Sequence, residues 1–292
     1  MSQQIYVDSY RDQSGVYLPI EPVMETDEGY DSVRIQTAAR NQAMHFWQLG
    51  RFRFLLQALK DEICGQAASS LSLIDIGGGT GGWVKYLEHN YPARFREVAI
   101  GDSSLSALQF SRGLNSQVDH YQIDVLKLPW KSRWDLVFLL DVIEHLQQDV
   151  EVLKSIKNIL RPGGLLFVTA PALNCFWSRE DDAAHHFRRY AKNDFLILAK
   201  RSGLELVRAR YFMFFLSPLL WLRRFAWPDL GNMSNQEIQM QKQKTHRVPI
   251  TPINHLLRLI FSLETPVGLR IPFPWGTSLL GVFKANSQPF RN

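Results

Sequence analysis

The stretch IDIGGGTGGW, residues 74–83, constrains the fold more than any other part of the chain. Its five glycines stand between LSLIDI (71–76), apolar enough to be a buried strand, and a segment from Trp83 to Asn90 that reads as a helix. Glycine weakens both strand and helix, so it is favoured at such a junction where the backbone must turn through a left-handed conformation or let a ligand come close to helix N–H groups. The chain thus contains a strand, a ligand-accessible loop and a helix in immediate succession.

The rest of the chain repeats that unit. VAIGD (98–102) reads as a second strand and Leu105–Arg112 as a helix, HYQID (120–124) as a third strand and WDLVFLLD (134–141) as a fourth. Val150–Leu160 is helical and stopped by RPGG, and LLFVTAP (165–171) is a fifth strand; Asn193–Ser202 is a helix, LELVRARYF (204–212) a sixth strand and TSLLGVFKA (277–285) a seventh. Strands alternating with helices of these lengths need crossover connections, hence a parallel sheet covered on both faces. The expected fold is a doubly wound, mostly parallel, seven-stranded α/β sheet with an N-terminal helical cap and a helical insertion between the last two strands. Residues 1–31 are acidic and turn-rich, as suits an arm or loop over the body. Phe46, Leu49, Phe52, Leu55, Leu56 and Leu59 recur at helical spacing within Ser32–Cys64. The organisation is then an arm and cap helices in residues 1–64, a core in 65–212, an insertion or lid in 213–276, and a final strand with tail in 277–292.

The glycines satisfy two motifs. Gly77, Gly79 and Gly82 give G-x-G-x-x-G, with Asp102 at the distance where a dinucleotide fold keeps its ribose-binding acid; Asp75, Gly77, Gly79 and Gly81 give D-x-G-x-G-x-G. Glycine alone leaves both open. Five segments, however, occur in order over IDIGGGTG, GDSS, QIDVLKLPW, WDLVFLLDVIEHLQQD and LRPGGLLFVTAP, and in them the chain resembles the class I S-adenosylmethionine-dependent methyltransferases, with a Rossmann-like methyltransferase fold. A nicotinamide dehydrogenase gives no reason for DVIEHL or RPGG.

The resemblance implies roles by position. Gly77, Gly79 and Gly81 would wrap the methionine part of S-adenosylmethionine with Asp75 near its ammonium group, Asp102 beside Ser103 would accept the ribose hydroxyls, and Asp124 with Val125 would bracket the adenine. Asp141 would line the pocket near the reacting methyl, with His145 one turn on. A lone aspartate after a strand is more often a turn or helix cap; several at the carboxyl ends of successive strands, where this sheet type binds ligands, make a site.

DDAAHHFRRY, Asp181 to Tyr190, follows the fifth strand and therefore emerges on the cofactor side. Asp181, Asp182, His185 and His186 have the donor types of a metal site, but the cofactor already carries an activated methyl, and no metal is assigned. An ordinary structural loop would pair Arg188 and Arg189 with Asp181 and Asp182. Similar segments, together with a His-Phe-Trp start like His45, Phe46 and Trp47 and a downstream arginine like Arg51, recur in a branch of these methyltransferases often linked to cell-surface glycan or natural-product pathways. That similarity implies a substrate clamp, with His185 or His186 as base and Arg188 or Arg189 on an anionic group. Adjacent histidines point apart, so only one can serve, and His186 is preferred.

Charge adds a partner class. From His185 onward there are 16 Lys/Arg against 5 Asp/Glu, a net +11, which leaves −6 for residues 1–184. No RNP, zinc-finger or helix-turn-helix pattern accompanies this charge, so no nucleic acid is expected. YFMFFLSPLLWLRRFAW, residues 211–227, and the segment 242–264 either pack as lid helices or meet anionic lipid through aromatics and basic residues. No run reaches the ~18 apolar residues of a membrane span. With only Cys64 and Cys175 and no signal-peptide pattern, the expected location is the cytoplasm, at the inner membrane surface if the insertion meets lipid. The reading is O-methylation of a small-molecule, glycan or lipid-linked acceptor. The alternatives are N- or C-methylation of a small apolar or aromatic metabolite and a silent cofactor-binding or membrane-associated interaction protein.

Overall fold

Each apolar run named above becomes a strand, and hydrogen bonds join the strands into one sheet in the computed structural model, which describes residues 10–23, 32–91, 93–115, 117–223, 225, 237 and 247–286. The strands are β1 (Tyr10–Gln13), β2 (Val16–Pro19), β3 (Ser72–Ile76), β4 (Glu97–Asp102), β5 (Asp119–Gln122), β6 (Trp134–Leu140), β7 (Leu160–Pro171), β8 (Glu205–Phe212) and β9 (Ser278–Lys284). Their spatial order is β1-β2-β5-β4-β3-β6-β7-β9-β8. From β5 to β7 all neighbours are parallel, and β9 inserts antiparallel between β7 and β8.

The sheet has nine strands, not the expected seven. Ser14 and Gly15 both take positive φ, 57° and 81°, the pair of left-handed conformations that a two-residue hairpin turn requires, and Asp12 Oδ1 accepts the Gly15 N–H at 2.7 Å. Part of the expected arm therefore folds into a hairpin. Its second strand joins the sheet edge through Tyr17 opposite Tyr121, with the two rings stacked 4.8 Å apart.

The helices are α1 (Ser32–Met44), α2 (Phe46–Glu62), α3 (Gly82–Asn90), α4 (Leu105–Leu114), α5 (Asp149–Ile159), α6 (Arg179–Ala183), α7 (Lys192–Ser202), α8 (Ser217–Arg223) and α9 (Thr251–Arg270). The first helical region is broken at His45, whose extended backbone and Nδ1, accepting from Trp47 N–H at 3.1 Å, cap α2. Burial divides the core into two layers. Val152, Leu153 and Ile156 of α5 and Phe195 of α7 cover one face of the sheet. Phe52, Phe54 and Leu55 of α2, Trp83 of α3, Leu108 of α4 and Phe261 of α9 cover the other.

The insertion returns to the N-terminal helices. Gly50 lets Phe261 approach so closely that a Cβ there would lie 1.7 Å from its ring. Asn254, at the start of α9, accepts from Phe46 N–H and donates to Met44 O, each at 2.9 Å, and so bridges the α1–α2 break. The apolar residues of α9 divide between two directions: Leu257 and Ile260 pack inward beside Phe261, while Ile253, Leu256, Leu259 and Leu263 are exposed. Residues 224, 226–227 and 242–246, part of the proposed lipid-facing segments, lie outside the described residues. Among the described residues no helix is long and apolar enough to cross a membrane.

Candidate active site

The glycine loop leaves β3 at the carboxyl edge of the sheet, between the strand ends of β4 and β6 where the chain reverses its direction of growth. Gly77, Gly79 and Gly81 all have positive φ, 72°, 52° and 77°, which explains glycine at these three positions. A Cβ on Gly77 would meet Val142 at 2.4 Å and one on Gly81 would meet Ser111 at 2.4 Å, whereas one on Gly79 would find only Asp102 Oδ2 at 3.9 Å. Gly79 therefore keeps its backbone open to an approaching ligand.

The acids follow. Asp102 accepts from Gly79 N–H at 2.8 Å through Oδ2 and from Ser104 N–H at 2.9 Å through Oδ1, which fixes its carboxylate against the loop. Ser103 continues from it, its carbonyl accepting from Gln122 Nε2 at 3.0 Å. Asp124, half-buried, accepts from Leu126 N–H at 2.9 Å, and Val125 packs on the core beside it. Asp75 is 2 % exposed beneath the loop, and its Oδ1 has no hydrogen-bond partner. Burial raises its carboxyl to about 8, against the pull of Arg51 and helped by Asp102. A buried Asp75 oxygen without a hydrogen-bond partner, next to a glycine whose Cβ position is open and an acid held at the strand end, fits the ammonium and ribose groups of S-adenosylmethionine.

Beyond β6 the chain turns sharply. Asp141 has φ 54°, accepts from Thr169 Oγ1 at 2.8 Å and is ion-paired with the buried Arg51. A 3-10 turn over Ile143–His145 follows. Glu144, which the sequence reading left unassigned, is 1 % exposed with Oε2 lacking a partner, and burial raises its carboxyl to about 8, against the pull of Arg51 and Arg189. Its backbone carbonyl accepts from Phe187 N–H at 2.8 Å, which ties this turn to the loop after β7.

That loop is more ordered than expected, since Ser178 and Asp181 form a capping box for the short helix α6. Asp181 Oδ1 is 2.9 Å from His186 Nδ1, and both its oxygens accept from Arg189, at 2.9 Å each. Burial opposes its charge, but His186, Arg189 and Ser178 N–H outweigh burial and hold the carboxyl below its ordinary value. Arg188 and Tyr190 turn the other way, to Asp149 at 2.7 and 3.2 Å.

These segments enclose a cavity of about 310 Å³, roughly the lower size of small-molecule sites. Asp141, Glu144, His145, Asp181, His186 and Arg189 line it on one side; Asn41, His45, Phe46, Trp47, Gln48 and Leu220 line it on the other. Two expectations are corrected here. His185 is exposed at φ 57° and does not line the cavity, and Arg188 is occupied by Asp149 and Gln147 O, so neither reaches it. The expected pairing of arginines with Asp181 and Asp182 holds only for Arg189; Asp182 accepts from Trp177 Nε1 at 2.9 Å instead. Glu144 is the residue that sequence reasoning missed, and for Asp181, expected only as an arginine partner or metal donor, it missed the capping role and the hold on His186. Glu144 could have been found as an acid set among the apolar residues of DVIEHL, and Asp181 as the fourth residue of Ser-x-x-Asp.

Comparison with known proteins agrees with this geometry. The methyltransferase domain family matches residues 47–209, more than half of the chain. A curated relative, the ubiquinone/menaquinone biosynthesis C-methyltransferase UbiE of Pseudomonas fluorescens (strain Pf0-1), is 26 % identical over 171 residues, which cover 56 % of this chain and 66 % of that one. The norajmaline N-methyltransferase of Rauvolfia serpentina is 25 % identical over 105 residues, covering 35 % of this chain and 36 % of that one. The chain thus spans just under two thirds of the first relative and about a third of the second. Among solved structures, phosphoethanolamine N-methyltransferase 2 of Haemonchus contortus in complex with S-adenosyl-L-methionine shares the fold at a TM-score of 0.55 and 16 % identity, over 89 % of this chain and 58 % of that one. Family match, fold and glycine loop together assign the chain to the class I S-adenosylmethionine-dependent methyltransferases.

Proposed function

We propose that the chain O-methylates a hydroxyl-bearing acceptor held in the cavity beyond Asp141, with His186 as the base. The observation that carries this reading is the Asp181–His186 pair. Asp181 engages His186 Nδ1, so the other ring nitrogen is left to take a proton, and Arg189 and Ser178 keep Asp181 charged and in place. The cofactor supplies an activated methyl: the acceptor oxygen bonds to carbon as the carbon–sulfur bond breaks, with its electron pair remaining on sulfur. The protein aligns the reactants, which accounts for most of the catalysis in such a displacement. Asp141, held by Thr169 and Arg51, separates the glycine-loop side from the cavity and lines the point where the methyl crosses. Residues 1–64 supply the cap through Asn41, His45, Phe46, Trp47 and Gln48, and α8 in the insertion supplies Leu220.

Phe46, Trp47 and Leu220 in the lining suit an acceptor with an apolar or aromatic part. The exposed row Ile253, Leu256, Leu259 and Leu263 on α9, with Leu219, Trp221 and Leu222 exposed on α8, supports a second element of the reading: residues 211–227 and 242–264 contact an anionic membrane surface that presents a lipid-linked acceptor. The test is methyl transfer from radiolabelled cofactor to a panel of phenols, sugars and lipid-linked sugars, with and without anionic vesicles. The reading expects labelled methyl ethers, a large loss in His186→Ala and co-sedimentation with anionic vesicles. Label on nitrogen or carbon, with His186→Ala retaining turnover, would establish one of the rival methylations.

A further inference from the structure

We propose that Glu144, His145 and His186 bind a divalent transition-metal cation on the cavity wall, and that this cation holds the acceptor hydroxyl. The second half rests on the O-methylation reading; the first does not.

Among the described residues one group of three metal-ligating side chains converges, with a donor atom from each of Glu144, His145 and His186 within 4.8 Å of the other two. A cation bonded at 2.0–2.2 Å to imidazole nitrogen and carboxylate oxygen needs its donors about 3 to 4 Å apart. His145 is exposed and lines the cavity. The other two donors are held: Glu144 by burial and by its carbonyl bond to Phe187, and His186 by Asp181.

Two independent features point to a cation. Glu144 Oε2 is buried on the cavity wall without a hydrogen-bond partner, an arrangement that native proteins seldom leave without an ion or a water. His186 has Nδ1 engaged by a carboxylate, the arrangement that orients metal-binding histidines and directs their other nitrogen to the ion. The imidazole rings of His145 and His186 meet edge to face with centroids 4.7 Å apart, beside Asp141.

Two imidazoles and one carboxylate suit zinc, cobalt, iron or manganese better than calcium, and three protein ligands leave positions open for an acceptor. The sequence reading assigns no metal because the methyl donor is already activated. That argument concerns the donor. The acceptor gains from a cation, which lowers the pKa of a bound hydroxyl by several units. The hydroxyl proton passes to water, the cation-bound oxygen bonds to the methyl carbon, and the carbon–sulfur electron pair stays on sulfur. With the cation bound, His186 is a ligand and no longer the base.

The test uses the full chain stripped with a chelator, then titrated with Zn²⁺ by calorimetry and with Co²⁺ by visible absorbance. Wild type and His89→Ala, an exposed histidine on α3, should each bind one ion. Glu144→Gln and His145→Ala should bind at least about 100-fold more weakly, and Asp181→Asn about 10- to 100-fold more weakly. His145→Ala changes an exposed side chain and keeps the test valid if Glu144→Gln fails to fold. Absence of a one-ion site in wild type, or equal affinity in every variant, would overturn the proposal; a loss of turnover in His186→Ala would then leave the base reading standing alone. One ion bound at these residues without any hydroxyl acceptor being methylated would support the site and count against the O-methylation reading only.

Discussion

Asp75, Gly77 to Gly81, Asp102 and Asp124 come from three successive strand ends and are joined mainly through backbone groups. The cavity beyond Asp141 is different: it draws on residues 41–48, 141–145, 171–189, Leu220 and residues 277–278, and is held by side chains. The glycine-loop half depends on backbone conformations that local sequence dictates. The other half depends on which distant side chains the fold brings together, so it can change its acceptor while the first half keeps its cofactor. The family match therefore gives the cofactor, and the residues proposed to hold it, like the acceptor, are argued from the site.

This division can be tested by disturbing one half and measuring the other. The largest expected effect is on stability: Phe261→Ala removes the ring that locks α9 onto α2 at Gly50 and should cost about 3–5 kcal/mol, measured by denaturant unfolding. Cofactor affinity of the folded fraction should survive; if it collapses too, the halves are not separable. Next, His186→Ala should lower kcat by roughly 100-fold or more while the cofactor Kd changes less than about 2-fold. A parallel loss of cofactor binding would show that the histidine belongs to both halves.

A smaller effect concerns pH. In the free protein the Asp75 carboxyl is raised to about 8, so at pH 7 it is mostly protonated. An ammonium group placed beside it favours the carboxylate, so binding should release up to about one proton. Affinity should then rise as pH rises towards 8 and fall again above it as the cofactor's own α-ammonium, whose pKa is ordinarily about 8, loses its proton. Calorimetry at pH 7 in two buffers of different ionisation enthalpy measures the released proton, and an enthalpy independent of buffer would remove Asp75 from the ammonium site. The smallest effect is expected for His185→Ala. Its side chain faces away from the cavity, and kcat should change by less than about 2-fold in the same assay that registers His186→Ala.

The sequence made the cofactor half legible because period and glycine are local signals. Five glycines after an apolar run fix a turn, and Asp102 lies at a strand end whose position the next helix start, Ser104, confirms as a cap. The order of strands was also within reach, except at the N-terminus, where a Ser-Gly turn at residues 14–15 makes a hairpin from what composition suggests is an arm. The cavity was only partly legible. DDAAHHFRRY contains the right residue types, yet nothing local distinguishes Arg189, which turns to Asp181, from Arg188, which turns to Asp149. That choice is made by Asp149 on α5, some 40 residues away in the chain. Glu144 escaped notice because an acid at the start of an apolar helix-like run reads as a cap, and its burial appears only once β7 and the loop after it close over it.

The most direct measurement is a calorimetric titration of wild type and Asp102→Ala with S-adenosylmethionine, beside a nicotinamide dinucleotide as control. Asp102 holds the loop through Gly79 N–H at the strand end where a carboxylate would accept ribose hydroxyls, so the account predicts binding by wild type, a loss of at least about 100-fold in the variant and no binding of the dinucleotide. Equal affinity in the two proteins, or preference for the dinucleotide, would contradict the assignment of the glycine loop on which the rest is built.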